Sequence, residues 1–520
     1  MEHVRSASGI IDRSAQLYGE GIAYCHDAAT LSFIQLARDS DDLSHQLRIL
    51  EVQKGEPVAV VLDKSLNFIR ALAAILKVGA IYLPVDAKNH DDRIRYILSD
   101  SRARHVITNS ASIPRLSTLA GPEVRFISID QLEKIDRTTE VRSPSRRAVT
   151  GNDIAYIIYT SGSTNMPKGV AIRHESLLNY VRETVLMYGF NEHTRIISVK
   201  PFSFDASFTD IFCPLYSGGT VYLMDETLIF PQVIEERIQR YGITHISCTL
   251  PVFKLLAQKG AFQPRAYATM KTMSVGGDVV MPEVFHKIKS KLPQVRLFNR
   301  YGPTETTVAC CTYEITEETD PSKPIPIGKP HKNVSFRAIN EQGREIGVGE
   351  SGELYIGGVQ VMAGYWRAPE LTAKVISNFE DGVRYYKTSD LVTLDANSDY
   401  VFLRRLDNII KKHGYRISLE EIEAAIVREG ITDECVCVFI PEDDNRDFSR
   451  ARIVAYLRTD GSARPDQETR KMLHRLLPNF MVPDVFMHTE QIPKELSGKP
   501  ARQLLKRRFL DAIQAAENAR

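Results

Sequence analysis

Short runs of β-branched and apolar residues recur between residues 57 and 275: PVAVVL (57–62), AIYLPVD (80–86), RHVIT (104–108), IAYIIY (154–159), TRIISV (194–199), THISC (244–248) and KTMSV (271–275). Stretches of helical periodicity stand between most of them, the clearest being LNFIRALAAILK (66–77) before Gly79. Alternation of this kind builds parallel sheets with crossover helices. Segment 109–150 is more polar, with SPSRR at 143–147, and reads as a surface connection. From residue 325 onward, Gly-rich turns separate short alternating strands, as in GREIGVGESGELYIGG, which predicts a small β-barrel or sheet. The last stretch has its own helix (418–430), the strands ECVCVFIP and ARIVAYL, a second helix near 466–476 and a basic tail. The expected fold class is α/β. A large N-terminal domain of layered α/β sheets plus a small β-barrel covers 1–404, and a small α+β domain covers 405–520.

Composition narrows the function. Lys and Arg number 66 against 65 Asp and Glu in 520 residues, a net charge of +1. A protein that coats nucleic acid carries a basic excess, so no nucleic-acid partner is expected. The seven cysteines (Cys25, Cys213, Cys248, Cys310, Cys311, Cys435, Cys437) are odd in number and contain no CxxC pair, the pattern of a reducing cytosol. No two of the thirteen histidines stand three or four residues apart, so zinc ligation has no support. MEHVRSASGIIDRSAQL lacks the apolar core of a signal peptide. The longest apolar runs fall far short of the roughly 20 residues that span a bilayer. A cytoplasmic protein without a membrane partner is expected.

The strand-like IAYIIY feeds TSGSTNMPKG (160–169), in which four hydroxyls, two glycines and one lysine offer donors to phosphate oxygens. The plainer alternative is a polar surface turn, which a buried strand before the loop and a lysine at its end disfavour. A Walker A loop is excluded, because Gly169 rather than Ser or Thr follows Lys168 and VAI continues as a strand. GVGESG (347–352) spells the dinucleotide pattern GxGxxG but precedes the strand ELYIGG rather than a helix, so it reads as a β-turn.

The run AYIIYTSGSTNMPKG resembles the phosphate-loop signature of the adenylate-forming enzymes: acyl-CoA synthetases, luciferases and the adenylation domains of nonribosomal peptide synthesis. The resemblance continues in order through LSFIQL (31–36), LKVGAIYLPVD (76–86), FSFDAS (202–207), NRYGPTE (299–305), GELYIGGVQVMAGYW (352–366), YKTSDL (386–391), RRLDNIIKKHGYRISLEEIE (404–423), LPNFMVP (477–483) and SGKPAR (497–502). LKVGAIYLPVD, HGYR and the FD motif place the likeness among amino-acid-activating adenylation enzymes.

That resemblance implies a two-step ligase reaction with ATP and Mg²⁺. A carboxylate attacks the α-phosphate, giving an acyl-adenylate and pyrophosphate, and a thiol then takes the acyl group. Catalysis of this type rests on positioning and charge stabilisation. By the resemblance, Thr160, Ser161, Ser163, Thr164 and Lys168 hold the β- and γ-phosphates. Thr304 contacts the α-phosphate, and Glu305 is the metal ligand for Mg²⁺. Asn299 and Tyr301 frame the adenine, Gly276, Gly277 and Asp278 pass beneath it, and Asp390 takes the ribose with Arg405 assisting. Lys499 bridges substrate carboxylate and α-phosphate, although by composition it is one more lysine of a basic tail. Asp407 falls at the hinge of a mobile small domain, and Gly414 lines the thiol's path.

The same alignment places Asp205, Ala206, Thr209, Thr249, Ser274, Gly276, Arg300, Val308 and Ala309 around the substrate. Asp205 matches the family's amine-binding aspartate; the bland alternative is a helix cap. Arg300 suggests an acidic or β-amino acid substrate, unless it faces solvent or pairs with a protein acid. Several positions depart from the family pattern: Asn165, Ser389, Arg404, Ser497 and Ala501. None removes an assigned acid, base or cation. The expected acceptor is the phosphopantetheine thiol of a carrier protein met in trans, within natural-product biosynthesis. An acyl-CoA ligase using free CoA and a non-catalytic nucleotide-binding homologue are the alternatives.

Overall fold

The computed structural model describes residues 4–131, 148–160, 166–225, 229–250, 252–253, 256, 264–277, 282–320, 322–412, 415–441, 451–459, 465–494 and 500–518. The chain forms two compact units. One comprises Met1–Lys88, Ile94–Tyr159 and Gly169–Leu406; the other gathers Asp407–Arg520 with Asn89–Arg93 and Thr160–Lys168.

Three sheets organise the larger unit. The first runs in the order Gly364–Tyr365, Lys168–Arg173, Ile154–Thr160, Ile81–Pro84, Pro57–Val60, His105–Thr108 and Arg125–Ser128. Its central strands pair in parallel through helical crossovers. The helix Leu66–Val78 is apolar nearly all round, and its buried face includes Phe68, Ile69, Leu72, Ile75 and Leu76. Ser65 caps it by accepting the Phe68 N–H. Part of the segment expected to be a surface connection is instead structural. Arg125–Ser128 adds a parallel edge strand beside His105–Thr108, and Ile113–Ser117 forms a short helix. The strand escapes a sequence reading because it is four residues long and opens on a charged residue.

The second sheet runs Lys329–Pro330, Cys311–Ile315, Arg296–Tyr301, Thr272–Gly276, His245–Thr249, Arg195–Ser198, Thr220–Leu223, Ile22–His26 and Ala29–Ser32. The interior is parallel as expected, but both edges are antiparallel: Cys311–Ile315 returns along Arg296–Tyr301, and Ala29–Ser32 along Ile22–His26. A third, antiparallel sheet holds Val334–Ile339, Ser351–Gly358, Arg384–Leu394 and Ile376–Asn378, with Tyr400–Arg405 paired to Arg384–Leu394. The GVGESG turn leads into the strand Ser351–Gly358.

In the smaller unit, Cys435–Ile440, Arg452–Arg458 and Val485–Thr489 form a sheet, and Ile409–Lys412 and Tyr415–Ser418 a hairpin. Strand periodicity of two sends Cys435 and Cys437 to one face, against Ile422 and Ile426 of the helix Leu419–Arg428. Val436, Val438 and Ile440 go to the other, against Leu505 and Phe509 of the helix Arg502–Asn518. Among the described residues, no helix is long and apolar enough to cross a membrane.

Candidate active site

The site of the larger unit grows from three neighbouring parallel strands. Their register aligns Ser247 with Ser274 and Phe298, and Thr249 with Gly276 and Arg300. Alternate residues therefore share one face, which carries Ser247, Thr249, Ser274, Gly276 and Arg300. The intervening Ile246, Cys248, Met273, Val275 and Leu297 enter an apolar core on the other side. Gly276 is glycine for a steric reason: a Cβ there would lie 2.9 Å from the Arg300 carbonyl oxygen.

Arg300 is buried, yet no carboxylate hydrogen-bonds to it among the described residues. Its guanidinium donates to Ser247 Oγ at 2.9 Å and to the Tyr180 hydroxyl. Tyr180, from the helix His174–Tyr188, donates onward to Thr209 Oγ1 at 2.7 Å, and Thr209 donates to the Ala206 carbonyl at 3.2 Å. One directed chain of hydrogen bonds thus runs from Arg300 to the turn Asp205–Ser207. Burial pushes the Asp205 carboxyl up to about 6, while hydrogen bonds from the Thr304 hydroxyl and the Ala206 N–H oppose the rise. The Glu305 charge adds to it and Arg300 lowers it. Asp205, Ala206, Thr209, Thr304 and Arg300 are brought together by these contacts. Ser274, on the middle strand, and Ala309, in the turn after the third, are both buried.

Asn299 and Tyr301 point opposite to Arg300, as the strand period requires. Asn299 Nδ2 donates to the Pro326 carbonyl at 2.8 Å, and the Tyr301 hydroxyl donates to Asp390 Oδ2. The strands Arg384–Leu394 and Tyr400–Arg405 pair Asp390 with Arg405, and their side chains form an ion pair at 2.6 Å. Ser389, where the resemblance leads one to expect glycine, takes a left-handed φ of 60°. Glycine adopts that backbone freely, and serine holds it under strain.

In the NRYGPTE motif, a Cβ on Gly302 would lie 2.5 Å from Ala309 Cα, so only glycine lets the motif fold back on its own turn. Glu305 is fully buried; its backbone carbonyl accepts the Met362 N–H at 2.8 Å, and its Oε1 accepts the Tyr365 hydroxyl at 2.9 Å. A single carboxylate completed by phosphate oxygens is the donor set Mg²⁺ commonly takes, so the residue fits that ion.

The strand that leads into TSGSTNMPKG ends at Thr160, whose Oγ1 is buried without a partner among the described residues, and Lys168 opens the next strand half-buried. Ser161, Ser163 and Thr164 lie outside the described residues, as do Asp278, Gly414 and Lys499. Gly277 is exposed. Asp407, in the smaller unit, accepts the Ile409 N–H through Oδ1 at 3.2 Å.

Several residues here have no role assigned from the sequence: Tyr180, Ser247 and the buried pair Lys200–Asp210 lie outside the quoted motifs, and Gln360 and Tyr365 lie within GELYIGGVQVMAGYW without a role of their own. Lys200 Nζ lies 3.0 Å from Asp210 Oδ1. Burial lowers the Lys200 pKa and raises that of Asp210, each opposed by the other's charge. The one available signal is the polar alternation in THISC and KTMSV, which marks a buried polar face.

A run of hydroxyl residues in the sequence after a sheet strand, followed by an Asn-Arg-Tyr strand end that turns at Gly302 into a buried glutamate, defines a class. It is that of the AMP-binding enzymes. Residues 11–366 match the family described as AMP-binding enzyme, and the chain belongs to that family. It is 31% identical over 517 residues to tyrocidine synthase 1 of Brevibacillus parabrevis, covering 98% of this chain and 46% of that one. It is also 31% identical over 506 residues to malpibaldin synthetase of Mortierella alpina, covering 96% of this chain and 9% of that one. The chain thus spans less than half of either relative. A solved artificial adenylation–PCP di-domain fusion from Klebsiella oxytoca, NpsA-ThdA, matches with a TM-score of 0.82 at 24% identity, covering 94% of each chain. At that identity the likeness establishes the fold.

Proposed function

We propose that this chain activates an amino acid as its aminoacyl-adenylate, releasing pyrophosphate from ATP, and passes the acyl group to the phosphopantetheine thiol of a carrier protein. The observation that carries the reading is the nearness of two opposite charges, Asp205 and Arg300: Arg300 lowers the pKa of the Asp205 carboxyl, and a hydrogen-bond chain from Arg300 ends on the Ala206 carbonyl beside Asp205. A half-buried carboxylate suits a substrate ammonium. A buried guanidinium that donates to hydroxyls suits a second carboxylate. The substrate class is therefore an acidic amino acid, α or β.

In this reading Thr304 contacts the α-phosphate and Asp390 the ribose, with Tyr301 and Arg405 orienting the Asp390 carboxylate. Lys168 and the hydroxyls of 160–164 hold the departing phosphates, and Lys499 neutralises the charge that develops between carboxylate and α-phosphorus. Glu305, oriented by Tyr365, would hold Mg²⁺, which supplies charge neutralisation to the phosphates. A cytoplasmic location belongs to the same reading.

The test is trapping of the adenylate with hydroxylamine across pH. With Asp205 at about 6, kcat/KM for the amino acid is expected to fall as pH drops through 6, approaching tenfold per unit below it. The sign follows from charge: protonation removes the carboxylate that binds the ammonium. For stability the sign is opposite, because a carboxyl raised from 3.8 binds its proton more tightly when folded, so this group favours folding as pH falls from 6 towards 3.8. A flat kcat/KM between pH 5 and 7 would remove Asp205 from the amine site. Thioester formation on free CoA but not on a carrier would move the acceptor to CoA.

A further inference from the structure

The turn after the NRYGPTE motif holds two adjacent residues in the left-handed region, Thr307 at φ 62° and Val308 at φ 66°. Both are β-branched, for which this conformation is a genuine outlier. Thr306 and Thr307 are fully buried. Such backbone persists only where its surroundings over-determine it.

Gln360 supplies the hold. Its Nε2 donates to the Ala309 carbonyl at 2.8 Å and, more weakly, to the carbonyls of Thr306 at 3.2 Å and Thr307 at 3.3 Å. The Thr307 hydroxyl donates back to the Gln360 carbonyl at 2.7 Å. Gln360 Oε1 accepts Asn179 Nδ2 at 3.0 Å, and Asn179 Oδ1 accepts Asn333 Nδ2 at 2.9 Å. Three carbonyls only accept, so this amide orientation is the one that satisfies the network. Gln360 is itself fully buried. The Thr307 carbonyl also accepts the Ala309 N–H at 2.8 Å, but a side chain without the amide would take this donor from the Thr306 and Ala309 carbonyls in the interior.

The turn has a candidate functional group at each end. Glu305 stands immediately before it, tied to the same segment as Gln360 through the Met362 N–H. Val308 and Ala309, both buried, stand at its far side, on the side assigned to the substrate. We propose that Gln360 is a positioning residue for adenylation: its amide clamps the strained 306–309 turn and so places Glu305 and the Val308–Ala309 wall together. The inference rests on the adenylation reading for its kinetic consequence, and on the hydrogen bonds alone for the clamp. It predicts that kcat, through Glu305, and the amino-acid KM, through the Val308–Ala309 wall, respond together to one buried amide that touches neither substrate.

The variant is Gln360→Met, which keeps length and volume and removes the amide. Hydrogen–deuterium exchange in the full chain is expected to speed at least tenfold at residues 304–310, with the strand Arg296–Tyr301 unchanged. The kcat for pyrophosphate exchange should fall 10- to 100-fold and the amino-acid KM rise, with ATP KM within threefold of wild type. Adding Thr307→Gly, which accepts a left-handed φ without strain, should recover part of kcat. Faster hydrogen exchange with unchanged kcat would make the clamp purely structural and overturn the proposal. So would protection at 304–310 equal to wild type. A wild-type chain inactive with every amino acid, by contrast, overturns the adenylation reading itself, and the catalytic half of this proposal with it. A Gln360→Met chain that fails to fold is read through the pair: with Thr307→Gly restoring fold and kcat the proposal stands, and with fold restored but kcat absent it falls.

Discussion

Arg300→Met is expected to reduce activation of acidic amino acids by about 10²- to 10³-fold in kcat/KM, the range for a buried carboxylate deprived of its charged partner. Neutral amino acids should change by less than about tenfold, because the variant removes a desolvated cation they do not use. The asymmetry between the two classes is the readout. It separates recognition from scaffolding, since Arg300 also links Ser247 to Tyr180 and its loss leaves both hydroxyls short of a donor. A scaffolding role alone would depress every substrate alike. Equal losses for acidic and neutral amino acids would therefore reject the acidic-substrate reading while leaving the family assignment untouched.

The second large effect concerns stability. Lys200→Met strips Asp210, a fully buried residue, of its ion partner. Removing one member of a buried pair typically costs about 3–5 kcal/mol, because an uncompensated charge or a forced protonation remains inside. The Lys200→Met chain should lose a large part of the stability of the larger unit, seen as a lower denaturant midpoint. Lys200→Met combined with Asp210→Leu removes both charges and is expected to return to within about 1–2 kcal/mol of wild type. The reversal on adding a second substitution is the signature of paired burial. A double variant as unstable as the single one would show that neighbours such as Ser198 and Lys64, which also act on Asp210, bear the dependence instead.

How far the sequence reveals this protein depends on the distance over which each contact acts. The helix Leu66–Val78 and the strand Ile154–Thr160 are visible because period and cap lie within a few residues. The Asp390–Arg405 pair is visible through motifs, and the hairpin that aligns the two strands explains it. Arg300 is visible as an arginine among small residues, but its environment is not: Tyr180 is 120 positions away and Ser247 is 53. Gln360 sits inside GGVQVMAGYW and looks like one polar residue in an apolar run. Its role depends on backbone strain at Thr307 and Val308, which no local pattern records. The edge strand Arg125–Ser128 is hidden for a related reason, since a four-residue strand takes its identity from the neighbour it pairs with. The antiparallel edges follow the same logic, because strand direction is set by connection and packing rather than composition.

In the function proposed, the AMP-binding fold activates an amino acid with a second carboxylate. Amino-acid-dependent exchange of labelled pyrophosphate into ATP, with Mg²⁺ and without any thiol acceptor, tests it most directly. Aspartate, glutamate and their β-amino counterparts should be compared with neutral α- and β-amino acids near neutral pH. Exchange is expected with one or more acidic members, at least tenfold above every neutral one. Exchange confined to neutral amino acids, or absent with all of them, would contradict the claim.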